Sequence, residues 1–284
     1  MTVACGKLCT SLFEGCPQVT RIIPMVKKPY NGHWISLWAE VIGTRWDMVV
    51  DLRDSAVSRL IPAKRRYIYG KHIDKTRHKA AQMAQVMGLP DVPAPRLRFS
   101  AAQEAFADQL MAGEGPVIGV GPAANWIGKS WPAENFIATL DWLTAPDGPI
   151  PDARVAVFAA PGEEALARPV LESIPPARRI DGIAKGTPGE AAAAIARCQL
   201  YIGNDSGLMH AAAASGVKTF GLFGPSYPHL YSPWGRHTSF AQTPESYDEL
   251  TAYEGYSPHT VTDSLMRSLT VDTVRQHLRN FLAN

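Results

Sequence analysis

From Pro116 onward the chain alternates short buried-strand runs with helical runs, and this rhythm restricts the fold more than any other feature. VIGVG (117–121), RVAVFAA (154–160), LYIG (200–203) and VKTFGLFG (217–224) read as strands; PAENFIATLDWL (132–143) and PGEAAAAIARC (188–198) read as helices. EEALARPVLESI (163–174) reads as a helix that Pro169 must kink or interrupt. Strands alternating with helices at this spacing imply an α/β fold with a parallel, doubly wound sheet. Ligands of such sheets bind beyond the carboxyl ends of the strands, where loops run into helix N-termini. Three polar segments fall at that edge: GPAANWIGKSWP (121–132), APGEE (160–164) and GNDSG (203–207).

The first hundred residues are less regular. VTRIIPM (19–25) and WDMVVDLRDS (46–55) are strand-like, and RHKAAQMAQVMGLP (77–90) is a helix ended by glycine and proline. The proline-rich stretch 91–100 coincides with a switch in charge, so the domain boundary is placed near residue 100, dividing the chain into 1–100 and 101–284. Residues 1–100 hold sixteen Lys/Arg against seven Asp/Glu, whereas residues 101–284 hold twelve against nineteen. The densest basic run, Arg59 to Lys79, contains Lys64, Arg65, Arg66, Lys71 and Arg77; it reads either as a solvated face or as a docking surface for a phosphorylated partner such as a lipid headgroup. No nucleic-acid-binding module accompanies it.

Other classes are disfavoured. No window approaches a membrane span and no secretory signal opens the chain, so cytoplasmic residence is expected. Cys5, Cys9, Cys16 and Cys198 fit neither a disulfide framework nor a zinc site, although Cys5 and Cys9, four apart, could share a helical face. There is no nucleophile elbow, no P-loop, no GxGxxG and no Asp-x-Asp pair to hold a divalent cation beside a diphosphate, which favours metal-independent chemistry without a cofactor.

Each polar loop has a plain local explanation and a functional one. Asp205 and Ser206 are residue types that cap a helix, while Ser206 and Gly207 at a helix N-terminus also suit a phosphate. His210 lies one turn deeper on the same face. Lys129, beside Gly128 and between Trp126 and Trp131, is a cation that could reach diphosphate oxygens. Glu163 and Glu164 open a helix, where the dipole favours acids, and one of them could hold ribose hydroxyls.

GVGPAANWIGKSWPAENF (119–136) and GNDSGLMHAAAASGVKTFGLFGPSYP (203–228) together resemble the ADP-heptose:lipopolysaccharide heptosyltransferases, with the second block the more specific. FEGCPQVTRIIPM (13–25), VVDLRDSAVSRL (49–60) and LTVDTVRQHL (269–278) are similar to further segments of that family. The resemblance implies a glycosyltransferase B-type architecture of two Rossmann-like domains facing across a cleft, the first holding the acceptor and the second an ADP-sugar donor. It further implies that Ala123, Ala124, Lys129, Glu163, Asp205, Ser206, Gly207 and His210 bind the donor. Lys129 and Asp205 would serve the chemistry, Lys129 by stabilising charge on the departing ADP. The acceptor would be a phosphorylated lipopolysaccharide core met at the inner face of the inner membrane, and the product would have inverted configuration.

One departure stands out. The family pattern opens with a strand and a Gly-Asp loop whose aspartate is the expected general base. The first recognisable segment here, VACGKLCTSLFEGCPQV, is similar to the family's second strand, and the dipeptide Gly-Asp occurs nowhere. The expectation is therefore a first domain lacking its opening strand, through a misassigned start or a truncation, with reduced stability and slow or no transfer. A non-catalytic nucleotide-sugar-binding or interaction protein is the alternative; an epimerase or hydrolase on the same architecture is a weaker third.

Overall fold

The computed structural model describes residues 1–283. Its first part is built from β1 (Thr2–Gly6), β2 (Arg21–Met25), α1 (Gly32–Val41), β3 (Trp46–Asp51), the single-turn α2 (Val57–Leu60), β4 (Ala63–Ile68) and α3 (Lys79–Val86). These strands form two separate parallel pairs, β1 with β2 and β3 with β4. Sequence explains which sides face outward. Pro24 in β2 has no N–H to give a ladder, and Lys64, Arg65 and Arg66 make β4 a charged strand, both habits of sheet edges. A small core ties the pairs together, with Ile23 of β2, Leu37 and Val41 of α1, and Val57 and Ile61 in one cluster against which Trp46 and Val49 of β3 pack.

The second part comprises α4 (Ala101–Leu110), β5 (Val117–Gly121), α5 (Ala133–Thr144), β6 (Arg154–Ala159), α6 (Glu164–Ser173), β7 (Arg179–Ile183), α7 (Pro188–Ile195), β8 (Leu200–Asn204), α8 (Gly207–Ala214), β9 (Lys218–Phe223), α9 (Pro228–Tyr231), β10 (Thr238–Gln242), α10 (Tyr247–Thr251) and α11 (Val271–Leu282). Six parallel strands lie in the order β7-β6-β5-β8-β9-β10, so the chain winds outward from β5 in one direction and from β8 in the other. Helices pack on both faces because the central strands are buried throughout, with every residue of β5 and β8 buried. One face holds Trp131, Phe136, Leu143, Phe220 and Leu278; the other holds Ile195, Tyr201, Met209 and Phe223.

Local chemistry sets the helix starts. Ser100 with Gln103, and Thr187 with Glu190, form reciprocal capping boxes, the second with Pro188 in the first turn. Pro169 sits inside α6, so of the two outcomes the sequence allows, a kink or an interruption, the interruption does not occur. The helix keeps its apolar stripe of Ala167, Val170 and Leu171 on the core, and this packing outweighs the one missing N–H. Cys5 and Cys9 share no helix: Cys5 is in β1 and Cys9 in a 3₁₀ segment (Lys7–Phe13), and all four cysteines are free thiols. Burial and the neighbouring Cys9 push the Cys5 thiol up.

The two parts touch at three places. Ser11 Oγ accepts from Gly189 N at 2.9 Å and Ser11 O accepts from Gln103 Nε2 at 2.7 Å. A Cβ on Gly189 would stand 2.5 Å from that carbonyl oxygen, so only glycine allows this approach. The extended 91–100 segment is held by Leu97 N donating to Ala214 O at 2.9 Å. The third contact, His78 against Ser232 and Trp234, lies beside the site described next.

Candidate functional site

Two central strands part company at their carboxyl ends. β5 and β8 are neighbours, paired Gly121 to Gly203, but the chain leaves them toward opposite flanks of the sheet, which opens a crevice between their outgoing loops. Glycines are required there by Tyr201, whose ring lies between the strands. A Cβ on Gly121 would fall 2.0 Å from the Tyr201 hydroxyl, and one on Gly203 would fall 3.0 Å from it. Burial pushes the Tyr201 phenol far up, so it stays neutral.

Asn204, the last residue of β8, fixes the crevice. Its Oδ1 accepts from Trp131 N at 3.1 Å and its Nδ2 donates to Pro122 O at 2.8 Å, so one fully buried amide clamps both ends of the 122–131 loop. Trp131 is pinned further by its indole N–H, which donates to Leu269 O at 2.7 Å. Sequence reasoning passed over Asn204 because a buried amide bridging a loop 73 residues away leaves no local signal.

That clamp presents Lys129. Its Nζ donates to Asp205 Oδ2 at 2.5 Å, with the lysine side chain 17% and the aspartate 9% exposed. His210 Nε2 stands 3.6 Å from the other oxygen, Oδ1. Burial pushes the Asp205 carboxyl up, but His210 and Lys129 together outweigh it and hold the group below its ordinary value. At 3.6 Å the histidine contact is an electrostatic approach rather than a good hydrogen bond, and the Lys129 contact is the closer stabiliser. A cation, a carboxylate and an imidazole are thus gathered from two loops and one helix face.

The capping explanation for Asp205 and Ser206 fails. Ser206 occupies the N-cap position of α8 with extended backbone, yet its side chain makes no cap hydrogen bond. Asp205 turns to Lys129 and His210 instead of the helix amides. Ser206 Oγ, Ser130 Oγ and Ser226 Oγ are all buried without a hydrogen-bond partner, and each lies in a loop leaving the carboxyl end of a strand, after β8, β5 and β9 respectively. Buried hydroxyls are normally satisfied, so three orphans along one edge mark a place built for a polar ligand.

Other predicted positions are arranged less directly. Ala123 and Ala124 have buried side chains, which leaves their backbone as the part able to meet a ligand. Glu163 Oε2 accepts from Ala160 N at 3.1 Å and Glu164 Oε2 from Gly162 N at 2.9 Å, so both acids close their own turn. Hydrogen bonds from its own backbone N–H and then from Gly162 hold the Glu164 carboxyl down. In the basic run, Arg66 donates to the carbonyls of Ser58, Ile61 and Ala63, and Lys64 pairs with Asp47 at 2.6 Å. Lys64, Arg65, Arg66, Lys71 and Arg77 are all exposed.

His78 is a further residue that the sequence did not disclose. It caps α3, its Nδ1 accepting from Ala80 N at 3.1 Å, while Nε2 bonds Ser232 O at 2.9 Å and the ring stacks on Trp234 at 4.5 Å. Burial pulls its pKa down, with the nearby His210 adding to that shift. The first part of the chain therefore reaches the crevice through this imidazole. Among the described residues no group of three or more His, Cys, Asp or Glu is placed to hold a metal ion, and no helix is long and apolar enough to cross a membrane.

Similarity to known proteins extends over much of the chain. Residues 40–251 match the model of glycosyltransferase family 9 (heptosyltransferase). The lipooligosaccharide heptosyltransferase 2 of Haemophilus influenzae is 30% identical over 155 residues, a match covering 50% of this chain and 43% of that protein. The chain thus aligns with less than half the length of that curated relative. A family 9 glycosyl transferase of Veillonella parvula superposes with a TM-score of 0.77 at 22% identity, over 99% of this chain and 88% of that one. An E. coli heptosyltransferase solved with ADP superposes with a TM-score of 0.68 at 18% identity, over 98% of this chain and 89% of that one. The parallel α/β architecture is that of the glycosyltransferase B-type structures, and with three quarters of its length matching the family model, the chain belongs to glycosyltransferase family 9, the heptosyltransferases.

Proposed function

We propose that residues 101–284 bind an ADP-sugar with its diphosphate in the crevice between the β5 and β8 loops, and that residues 1–100 present the acceptor, a phosphorylated lipopolysaccharide inner core met at the inner face of the inner membrane. The observation that carries this reading is the Lys129–Asp205–His210 cluster beside the unpartnered hydroxyls of Ser130 and Ser206. The ADP bound by the E. coli relative supports the donor class. In transfer, the acceptor hydroxyl oxygen would bond the anomeric carbon of a heptose-type sugar as its bond to the diphosphate breaks, which inverts the configuration. Lys129 would meet the charge developing on ADP, a term that grows toward the transition state. Asp205, anionic and held by Lys129, would keep that ammonium aimed and accept from donor hydroxyls. No step in this proposal calls on a metal or other cofactor. Glu163 remains the proposed ribose contact.

The acceptor proton needs a base, and here the first part of the chain matters. Its strands form two separate parallel pairs, β1-β2 and β3-β4. We propose that a parallel strand belongs between β1 and β3, with a carboxylate-bearing loop at its end supplying the base. The same observation favours the second reading, a nucleotide-sugar binder without transfer. Calorimetry with ADP tests the donor site: binding lost in Lys129→Ala supports it, and no binding of any nucleotide by folded wild-type protein overturns it. A transfer assay, with and without an added N-terminal strand and Gly-Asp loop, separates enzyme from binder.

A further inference from the structure

A second cavity lies at the opposite end of the sheet, where β9 and β10 begin. It has a volume of about 420 Å³ and is lined by Lys218, Arg236, His237, Ser239, His277 and Phe281, among others. The register explains why these meet. Thr219 pairs with Thr238 and donates from its N–H to His237 O at 2.9 Å, which brings the Arg236–His237 turn beside Lys218; α11, packed on β10, then supplies His277. His277 Nδ1 contacts Phe240 O at 3.3 Å, fixing the ring. Lys218 Nζ lies over the Phe281 ring at 5.8 Å.

The charge balance of this cavity is unusual. Among the described residues no carboxylate lines it, and neither Lys218 nor Arg236 has an ion-pair partner. A cavity on the other flank, near β7, offers a contrast. It holds Arg154, Arg179 and Lys185, but Glu114 and Asp181 line it too. There Arg154 is spent on the carbonyls of Met111, Ala112 and Gly113, Arg179 on those of Glu172 and Ile174, and Lys185 on Asp181. Those cations hold the fold together, whereas among the described residues Lys218 has only its contact with the Phe281 ring and Arg236 has no ion pair. Two uncompensated cations, two imidazoles and the Ser239 hydroxyl around one concavity are the donor set that phosphate oxygens require.

We infer that this cavity binds a phosphate-bearing anion, separate from the donor crevice at the other end of the strands. The phosphate could be carried by a soluble phosphate ester or by an anionic lipid headgroup, and the two sources are distinguished by experiment. Titration with inorganic phosphate and with glycerol 3-phosphate, followed by NMR of the backbone amides of Ser239 and Phe240, is expected to give saturable shifts. Lys218→Ala with Arg236→Ala should weaken that binding at least about tenfold, and Arg236→Glu alone, at an exposed position, gives the same sign without risk to folding. Cosedimentation with phosphatidylcholine vesicles containing phosphatidic acid, lost in Arg236→Glu, would assign the headgroup source; shifts with the soluble esters but no cosedimentation would assign the soluble one. The inference is overturned if none of these probes shifts the Ser239 and Phe240 signals, if the double variant binds as well as wild type, or if Lys129→Ala abolishes the binding instead.

Discussion

The two parts of this chain build their parallel strands into sheets of very different size. In the second, the order β7-β6-β5-β8-β9-β10 places two wholly buried strands at the centre, and each faces a partner on both sides. In the first, the strands form two separate pairs, β1-β2 and β3-β4, each strand is paired on one side, and Met48, Val50 and Leu52 in and just after β3 remain exposed. The consequence is functional as well as structural. A doubly wound sheet binds ligands where its central strands diverge, so the half with a complete centre has a crevice with Lys129 and Asp205 at its mouth. The half without one contributes His78 from a helix cap and no comparable cluster of its own.

Core substitution gives the largest expected contrast. Phe136→Ala, at a side chain 1% exposed, should destabilise by about 3–5 kcal/mol in denaturant unfolding. Next is the crevice itself: Lys129→Ala should lower the rate of sugar transfer, where transfer occurs, by about 10²–10³-fold, as loss of a transition-state charge contact does, and should weaken ADP binding in calorimetry. Retention of both would remove the crevice from the comparison. Asn204→Ala leaves Trp131 N–H and Pro122 C=O buried without partners, so a loss of about 1–3 kcal/mol is expected, together with weaker ADP binding as the Lys129 loop loosens.

The contact between the parts should depend on pH. The pKa of His78 is depressed below its ordinary 6.5, so its stabilising contribution is complete above that value and is lost as pH falls through the lower folded value. Trp234 fluorescence followed from pH 7 downward should report the loosening, and His78→Phe, which keeps an aromatic ring against Trp234, should flatten the profile. An unaltered profile in that variant would assign the transition to another group. Smallest of all, Val50→Thr on the exposed face of β3 should change stability by no more than about 0.5 kcal/mol. A loss as large as that of Phe136→Ala would mean that β3 is as well buried as β5, and the contrast between the halves would collapse.

How legible the molecule was in its sequence follows the same division. The apolar runs at 117–121, 154–160, 200–203 and 217–224 could be read as strands because their burial on both faces leaves no polar alternation to confuse the pattern. The Lys129 and Asp205 loops were legible because both follow such strands. Helix capping by Asp205 and Ser206 was misread, since local residue type speaks for a cap and only the folded chain brings Lys129 within reach of Asp205. Pro169 left a kink or an interruption open for a similar reason: propensity argues for an interruption, and burial of Ala167, Val170 and Leu171 keeps the helix running through it.

Periodicity and turn chemistry along the chain determined by themselves the fold class, the strand ends that could bear a site, and the charge split between the parts, because these depend on neighbours in sequence. Tertiary structure alone decided that Asn204 clamps the loop of Lys129, that Tyr201 demands glycine at 121 and 203, that His78 reaches across to Trp234, and that Lys218 and Arg236 share a cavity without an acid. Each of those contacts joins residues from different elements, and the free energy that fixes them comes from burial and hydrogen bonding that exist only once the sheet has assembled.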